Sequence, residues 1–598
     1  MKDYLSIIKL IKNLKNIIKK IFNDKYLIIL FIVFTFLTSY FIYFSLIRFF
    51  SLNATVYDLG VAMQHAQDFL NYHFTSFSLI WNPIIWIIFP IFIPANYPLI
   101  LTFQAIWISI AVFPIYGIGK MLLNNKMASL FISISYLFNF LIVGFYEYDF
   151  HYQVLFPTFF ILGYFFYLKN YYKISFVLII LSGLTRYPYM LFGVLFGFVL
   201  LIDYLIKYKK PVSIFFKKRE FIYSFSIFLF SLIILIYQFL LLDYISMGNA
   251  ISTTNVFMGL SYKNSIFYSI DVKIFTFTLV FGPLLLLSLF SKKFFIFYMP
   301  FLVLLFLSNK WQFVFPSLIG LQYTALIIPF IYLGAIDSLK NIFLNSKYKN
   351  NKSTSEIDKI FYKNSKSLIR ISIAIFIFIL LLSLIYQPFG IIKDNGNEIK
   401  ININNGMYIN STIYNNLNKV ISLIPKNDPY VLVQYNLPQY YPASLPYGFC
   451  FFNVAGFLYN LTLEKHYYWA EAFHQDYLIF NLKKYPSIIN ARIDYILADM
   501  YAFYSYTWPN YPSLPNSPSM YDFTHLFYGS GEYGIVAEAS GIVLLEKNYT
   551  GPLKYYVPFY GYYPANEFSN AQFSKLINNE MVVTNVTEES LTWHGPFT

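Results

Sequence analysis

Residues 25–48 read KYLIILFIVFTFLTSYFIYFSLIR, and no charged side chain stands between Lys25 and Arg48. An apolar run of about 20 residues has the length at which an α-helix crosses a bilayer. This run is too long and too far from the start for a cleaved signal peptide, so we expect a retained anchor. Comparable runs recur through the first two thirds of the chain. The sequence therefore predicts an α-helical polytopic membrane protein.

The composition agrees with this class, with 58% hydrophobic, 22% aromatic and 12% charged residues. A soluble domain carries about twice that share of charge. The net charge of +14 does not indicate nucleic acid, because most basic residues lie in loops between apolar runs, where topology and anionic lipids account for them. Cys450 is the single cysteine, so an internal disulfide is excluded.

The loops between the runs alternate in charge. Lysine and arginine concentrate in one set: 2–25, 120–126, 169–173, 207–219, 292–293 and 340–370. The other set is nearly free of them and contains all seven histidines. Because basic loops stay cytoplasmic, we expect a plasma-membrane protein with a cytoplasmic N-terminus and an extracellular C-terminal domain. Residues 1–25 are basic and amphipathic, as in a helix lying on the inner membrane surface.

The alternation of basic and lysine-poor loops, together with hydropathy, predicts a multipass domain over 26–388 with about eleven spans. These are 26–48, 98–118, 127–145, 153–168, 174–187, 189–206, 220–242, 274–290, 294–309, 314–335 and 370–388. The short apolar stretch 79–93 is expected to be re-entrant or interfacial on the outer side. Counting it as a span would invert every later loop against the lysine rule.

From residue 389 the chain is polar, and 389–550 is expected to form an extracytoplasmic mixed α/β domain. A helix is predicted at 415–423, strands at 430–434 and 493–498, and a hairpin over 535–546. Residues 551–598 are expected to be a β-rich extension, the start of a further module of a longer product. N-glycosylation sequons support the sidedness: Asn53, Asn410, Asn460, Asn548 and Asn585 fall outside and Asn351 inside.

The first outer loop contains Tyr57 and Asp58, the first acidic residue outside the membrane. A carboxylate tethered there can act as a general base on a hydroxyl acceptor or as a metal ligand. It can equally cap a helix, since Asp before Leu-Gly-Val-Ala-Met-Gln is a common start signal.

The second outer loop alternates ionisable groups at Glu147, Asp149 and His151. Such groups close to a bilayer are functional candidates. Asp149 and His151 can assist catalysis, or join Asp58 in holding a divalent cation such as Mg²⁺ or Mn²⁺. The alternative is a solvated loop of mixed polarity.

Further outer candidates surround these loops. Arg186, flanked by tyrosines, suits a phosphate group, or it snorkels beside an aromatic belt. Gln322 and Tyr323 either line an outer cavity together with Arg186 or belong to the aromatic belt.

These residues, in this order, resemble an uncharacterised family of predicted multipass membrane proteins, a domain of unknown function. The Tyr57-Asp58-Leu59-Gly60 and Asp149-Phe150-His151 motifs are the more specific part. The resemblance continues through Gln104, Tyr116, Ser135-Tyr136, Arg186 and Gln322-Tyr323, and into the outer domain at Ile424-Pro425, Asp494-Tyr495 and 541–547. The chain differs where this family usually has His-x-Ser-Pro, here Trp81-Asn82-Pro83, and in an acidic turn that is here Arg186-Tyr187-Pro188.

The layout is also similar to GT-C-type glycosyltransferases, multipass enzymes with an essential acid in the first outer loop. That resemblance implies a polyprenyl-phosphate-linked sugar as donor, with Asp58, Asp149 and His151 as catalytic residues. Arg186, Tyr57, Gln322 and Tyr323 would then bind the donor. Two other functions remain open: a transporter or flippase for a lipid or polar solute, and a non-enzymatic anchor whose glycosylated outer domain binds envelope proteins. Fold analogy does not choose among them.

The charge alternation makes the topology testable at Cys450. A membrane-impermeant maleimide should label Cys450 in intact cells, because 389–598 is predicted to lie outside. As a control, Ser346→Cys in a Cys450→Ser background should react only after permeabilisation. Labelling of Cys450 only after permeabilisation would contradict the topology.

Overall fold

A computed structural model of the chain describes most of the apolar part and several segments of the polar part. The described residues are 24–50, 59–70, 77–94, 96–146, 149–208, 218–248, 270–308, 322–344, 354–385, 411–425, 431–433, 494–499, 532–540, 542–557, 572–577 and 580–585. The chain divides into two compact units. The first takes in Met1–Phe49 and Val61–Met407, and the second Phe50–Gly60 and Tyr408–Thr598.

The described α-helices, numbered in chain order, are α1 (Lys25–Phe50), α2 (Val61–Leu70), α3 (Ile85–Ile88), α4 (Tyr97–Ile110), α5 (Val112–Leu123), α6 (Lys126–Leu137), α7 (Val143–Tyr146), α8 (Phe156–Leu168), α9 (Tyr172–Leu184), α10 (Met190–Tyr208), α11 (Arg219–Ile245), α12 (Ile270–Phe281), α13 (Phe295–Leu307), α14 (Ile328–Leu344), α15 (Thr354–Ile385) and α16 (Ser411–Ile421). Short 3₁₀ or π turns occupy Phe77–Trp81, Phe89–Ile91, Phe140–Ile142, Tyr152–Leu155, Gly282–Leu284, Leu287–Phe290 and Gln322–Leu326.

Four described helical stretches are long and apolar enough to cross a bilayer: Lys25–Ile47, Tyr97–Leu123, Arg219–Ile245 and Ser365–Leu384. A bent pair, Lys126–Leu137 with Phe140–Tyr146, makes a fifth if counted as one span. Shorter apolar helices cover Tyr152–Leu168, Tyr172–Leu184, Met190–Ile206 and Phe295–Leu307. The fold is thus mainly helical with several apolar helices, as expected. The count of eleven spans and the extracytoplasmic placement of 389–598 stay predictions. The stretch 79–93 contains only short helical turns.

The predicted span 127–145 is broken rather than continuous. Its two halves are bent by 44° at Phe138 and Asn139. The Asn139 side chain caps the second half, because its oxygen accepts a hydrogen bond from the Leu141 N–H at 2.9 Å. Its Nδ2 donates to the Tyr332 hydroxyl at 2.9 Å. One asparagine within an apolar window is thus enough to end a helix.

The predicted span 274–290 also departs from a single helix. α12 ends at Phe281, and two 3₁₀ turns follow. Pro283 has no N–H to continue the helical ladder. Leu285 and Leu286 adopt the left-handed region, with φ of 54° and 56°. That conformation costs roughly 1–2 kcal/mol for each residue with a Cβ, so packing around the turn must offset it.

Aromatic rings fill the centre of the first unit. Phe330 of α14 contacts Phe160 of α8, Phe192 of α10 and Phe297 of α13, each with ring centroids 4.8 Å apart. Such pairs contribute about 0.5–1.5 kcal/mol beyond area burial. Helices in a bilayer associate through close packing, because lipid tails are as apolar as a protein core. The high aromatic content therefore serves packing between helices.

Small residues bring α10 and α11 together. A Cβ built on Gly197 would lie 2.4 Å from the backbone nitrogen of Phe228, and one on Gly193 would lie 2.5 Å from Ser231 Oγ. Gly and Ser at such positions allow close approach of two backbones.

Asp24, just before α1, ties three helices at the end predicted to be cytoplasmic. Its Oδ2 lies 3.1 Å from Lys120 Nζ of α5 and 3.3 Å from Lys126 Nζ of α6. The Tyr116 hydroxyl donates to the same carboxylate at 3.3 Å. Burial acts to raise the pKa of Asp24, but hydrogen bonds and charge from the two lysines outweigh it and lower the pKa below its usual value.

The second unit contains a mixed sheet. Its strands are β1 (Val431–Val433), β2 (Tyr495–Asp499), β3 (Tyr533–Ala539), β4 (Ile542–Lys547) and β5 (Tyr555–Val557), in the order β1-β2-β4-β3-β5. β1–β2 and β3–β5 are parallel pairs, whereas β4 is antiparallel to both β2 and β3. β6 (Gln572–Ile577) and β7 (Glu580–Asn585) form a separate antiparallel pair. The predicted hairpin over 535–546 is confirmed.

α16 covers one part of this sheet, at the predicted helix 415–423. Asn416 Nδ2 donates to Ser540 Oγ at 2.7 Å, and the Tyr555 hydroxyl donates to Asn416 Oδ1 at 2.8 Å. Leu417 and Val420 are fully buried. One amide thus joins the helix to the end of β3 and to β5.

The Asp24 cluster predicts a stability effect with a defined pH dependence. Asp24→Asn should lower the unfolding free energy at pH 7 by about 1 kcal/mol, because the two lysines are half-exposed and screened. Since the folded pKa is lowered, this stabilisation is fully present above the unfolded pKa and is lost as pH falls through the folded pKa. The gap in melting temperature should therefore stay constant from pH 7 to 5 and narrow below about pH 4.

Thermal unfolding of the purified protein measures this gap. Asp271→Asn, at an exposed acid in the first turn of α12, is the matched control and should change little. A gap that widened on acidification would contradict the assignment of Asp24 as the charged partner.

Candidate functional site

Gln104 of α4 holds the second outer loop. Its side chain is fully buried, and its Nε2 donates to the carbonyls of Phe145 at 2.6 Å and Asp149 at 3.5 Å. Its Oε1 accepts from the His151 N–H at 3.0 Å. One amide therefore satisfies three backbone groups where the chain leaves α7 and has not yet begun the next helix.

Asp149 and His151 are brought together by this arrangement. Asp149 is only 2% exposed, and His151 is half-buried. His151 Nδ1 lies 3.0 Å from the Asp149 carbonyl oxygen. A carbonyl only accepts, so Nδ1 is the donor in this contact, and the neutral imidazole that makes it has its lone pair on Nε2. Nε2 is then the ring nitrogen suited to accept a proton or to ligate a metal.

The stretch 77–92 links this loop to the Arg186 turn. At its start, Trp81 packs edge-on against Tyr187, with centroids 5.5 Å apart. At its end, Phe92 packs against Phe150 at 5.5 Å and Tyr152 at 5.9 Å. The segments carrying Asp149, His151 and Arg186 therefore belong to one packed layer.

α2 is tied to the same layer. The Tyr152 hydroxyl donates to the Ala62 carbonyl at 2.9 Å. Phe69 of α2 packs against Trp86 and Phe89, with centroids 4.9 and 5.5 Å apart. The helix that follows the Asp58 loop is thus anchored on the short turns of 77–92.

Arg186 lies in the turn between α9 and α10 and is half-buried. Its guanidinium carbon is 6.0 Å from the centre of the Trp81 ring, and its carbonyl accepts from the Tyr189 N–H at 2.7 Å. A guanidinium within about 6 Å of an indole face is in the range of a cation–π contact.

The 3₁₀ turn Gln322–Leu326 packs against the turn Tyr152–Leu155. Thr324 donates from Oγ1 to the Leu141 carbonyl, which the bend after Asn139 leaves outside a regular helix. Tyr323 is half-buried there. The backbone of Gln322 joins this layer, but its side chain lies outside the described part of the structure.

The remaining predicted site residues, Tyr57, Asp58 and Glu147, lie outside the described residues. Among the residues the structure describes, no group of three His, Cys, Asp or Glu side chains could hold a metal ion. Asp149 and His151 alone do not make a metal centre, so the cation in the predicted site depends on Asp58.

Sequence reasoning missed Lys273, near the start of α12. It is fully buried, and its Nζ donates to the Phe306 carbonyl at 2.8 Å, near the end of α13. A lysine in an otherwise lysine-poor outer loop was the available signal. A cation at a helix C-terminus interacts favourably with the helix dipole.

Comparison with known proteins assigns a family. The profile of a family described as predicted membrane protein (DUF2079) matches residues 48–438, which confirms the resemblance found from the motifs. No curated protein matches the chain. Among solved structures, the chain is similar to the crystal structure of ArnT from Cupriavidus metallidurans bound to undecaprenyl phosphate. Identity is 11% and the TM-score 0.40, covering 86% of this chain and 99% of that one.

The role of Gln104 can be tested by removing its amide. Gln104→Leu should leave three backbone groups without their partner, at a cost of about 1–3 kcal/mol for each group that stays buried. Amide hydrogen exchange at 145–151 in the full-length protein should therefore become faster. Gln153→Leu is the matched control, because Gln153 is equally buried but its Nε2 has no partner among the described residues. Equal exchange in the two variants would contradict the anchoring role.

Proposed function

The chain belongs to the DUF2079 family of predicted membrane proteins. We propose that it is a glycosyltransferase that acts on the outer face of the membrane. Its donor would be a sugar linked to polyprenyl phosphate, and its acceptor a hydroxyl of an envelope component. The observation that carries the proposal is the single layer in which Gln104 holds Asp149 and His151 and the stretch 77–92 reaches Arg186. Ionisable groups close to a bilayer are costly to bury, so they are candidates for functional residues.

The transfer assigns a role to each group. Asp58 takes the proton from the acceptor hydroxyl, whose oxygen forms a bond to the anomeric carbon of the sugar. The bond from that carbon to the phosphate oxygen breaks, and its electron pair leaves with polyprenyl phosphate. Arg186 offers a fork of donors to the negative charge of that leaving group. Tyr57, Gln322 and Tyr323 complete the donor site.

Asp149 and His151 assist from the anchored loop. With its proton on Nδ1, His151 presents Nε2 as a base or as a metal ligand. A divalent cation, Mg²⁺ or Mn²⁺, would need Asp58 as its third ligand alongside Asp149 and His151. Dialysis against EDTA decides whether turnover depends on such an ion.

A transporter or flippase is the second candidate, and the broken helix at Asn139 is the observation that favours it. Transporters bind substrate at interrupted helices near the bilayer midplane. Here the freed backbone groups are bonded within the protein: Ser383 Oγ donates to the Phe138 carbonyl and Asn139 caps the next turn. The break is therefore closed by side chains and leaves fewer groups for a transported solute.

The catalytic role of Asp58 predicts a large loss of turnover. Asp58→Asn keeps the size but removes the base, so turnover should fall by about 10²–10⁴-fold. The measurement is release of polyprenyl phosphate from polyprenyl-phosphoryl hexoses by membranes containing the protein. Asp68→Asn, at another acid of the first outer loop, is the control and should keep its activity.

The proposed role of Arg186 predicts a different change in the kinetic constants. Arg186→Ala should raise the KM for the donor, because the phosphate loses its fork of donors, and Arg186→Lys should restore part of the effect. Unchanged turnover in Asp58→Asn, with the protein present at its normal level, would contradict the role of Asp58 as the base. Release of polyprenyl phosphate no faster with the wild-type protein than without it would favour the transporter or the non-enzymatic anchor.

A further inference from the structure

Asn82 is a fully buried amide with neither polar atom bonded. It is 0% exposed, and both Oδ1 and Nδ2 lack a hydrogen-bond partner among the described residues. Of the buried side-chain amides that the structure describes, Asn82 is the one with both its donor and its acceptor unpaired. Buried polar side chains nearly always find a partner, so this exception needs a physical reason.

The backbone around Asn82 is fixed on the turn that carries Arg186. On one side, the Trp81 carbonyl accepts from the Tyr187 N–H at 2.8 Å. On the other, the Ile84 N–H donates to the Leu184 carbonyl at 2.9 Å. Asn82 is thus bracketed by two hydrogen bonds to residues on either side of Arg186.

A second amide lies against the same segment. Gln238 of α11 is 1% exposed and donates from Nε2 to the Ile80 carbonyl at 3.2 Å. Its Oε1 has no partner in the described part of the chain. Three polar groups next to the Arg186 turn are therefore unpaired among the described residues. They are the acceptors Asn82 Oδ1 and Gln238 Oε1 and the donor Asn82 Nδ2.

A local structural role does not account for Asn82. Asn before Pro at the start of α3 would normally cap the helix through its side chain. Here the Ile85 N–H bonds to the Asn82 backbone carbonyl at 3.2 Å instead, and the side chain makes no cap. An apolar side chain of similar size would avoid burying an unsatisfied amide, so Asn82 sacrifices stability, as functional positions often do.

We propose that Asn82 and Gln238 form a subsite that binds the sugar hydroxyls of the lipid-linked donor whose phosphate Arg186 holds. This inference rests on the proposed function and names the part of the donor that these two residues recognise. A phosphate alone only accepts hydrogen bonds, so it would leave Asn82 Oδ1 and Gln238 Oε1 unpaired. A hydroxyl both donates and accepts, so neighbouring hydroxyls of a sugar can satisfy all three groups. Because both amides are buried, binding of a sugar would require the two hydrogen bonds between this segment and the Arg186 turn to open.

Binding by the full-length protein in nanodiscs tests the subsite. The probes are polyprenyl phosphate and its glucosyl, mannosyl and arabinosyl esters. The wild-type protein should bind at least one ester more tightly than polyprenyl phosphate. Asn82→Leu should lower the ratio of ester affinity to polyprenyl phosphate affinity by about 3- to 10-fold. The affinity for polyprenyl phosphate itself should not change. Gln238→Leu should act in the same direction.

Stability separates this role from a folding defect. Asn82→Leu should raise the melting temperature of the ligand-free protein by about 2 °C, because an unsatisfied amide is removed. Ser338→Ala removes a buried hydroxyl that also has no partner among the described residues, so it should stabilise the protein as well but leave binding unchanged.

Two failures are distinguishable. If Asn82→Leu keeps the full preference for the ester, or if no ester binds more tightly than polyprenyl phosphate, the sugar subsite is overturned while the proposed function stands. If the wild-type protein binds neither polyprenyl phosphate nor any ester, the proposed function fails and the subsite fails with it.

Discussion

Inside a bilayer no water can bond a free N–H or C=O group, so every interruption of a helix has to be satisfied by the protein itself. This chain interrupts its helices often, and at several of the described breaks a side chain supplies the missing partner. Asn139 caps the turn after α6, Thr324 and Ser383 bond carbonyls beside the same break, and Gln104 bonds three groups of the second outer loop. These polar side chains of the first unit therefore satisfy backbone groups at points where the chain departs from the helix.

That constraint also determines where chemistry can lie. Continuous helices bury their own backbone and offer a ligand only side chains, whereas an interrupted segment adds backbone groups and the polar residues that support them. On the predicted outer side, the loop 149–151, the turn at Arg186 and the stretch 77–92 are such segments, and they pack on one another. The aromatic contacts around Phe330 hold the helices from which these segments extend. Irregular segments that extend from rigidly packed helices are suited to binding a ligand.

The sequence predicted those parts of the structure that repeat a local pattern. Apolar length identified several of the helices, the alternation of apolar and polar residues identified the hairpin of β3 and β4, and the Asp-Phe-His motif contributed to the resemblance to the family. It could not predict the breaks after Leu137 and Phe281, because a hydropathy window averages one Asn or Pro over its apolar neighbours. Nor could it find Lys273 or the pairing of Gln104, since both depend on which residues meet across the fold. Asp58 lies outside the described residues, so its role stays a prediction.

Two buried amides show how a structural use of polarity differs from a functional one. Gln104 and Asn82 are both 0% exposed, and both flank irregular backbone on the same layer. The Gln104 amide is hydrogen-bonded through both its nitrogen and its oxygen, so its burial costs little. Its removal would leave three backbone groups without a partner. Asn82 is bonded at neither end among the described residues, so its burial costs free energy that folding does not recover. A side chain whose hydrogen bonds are complete within the fold is explained by the fold. For a side chain whose hydrogen bonds are all missing among the described residues, we propose that a bound molecule supplies them.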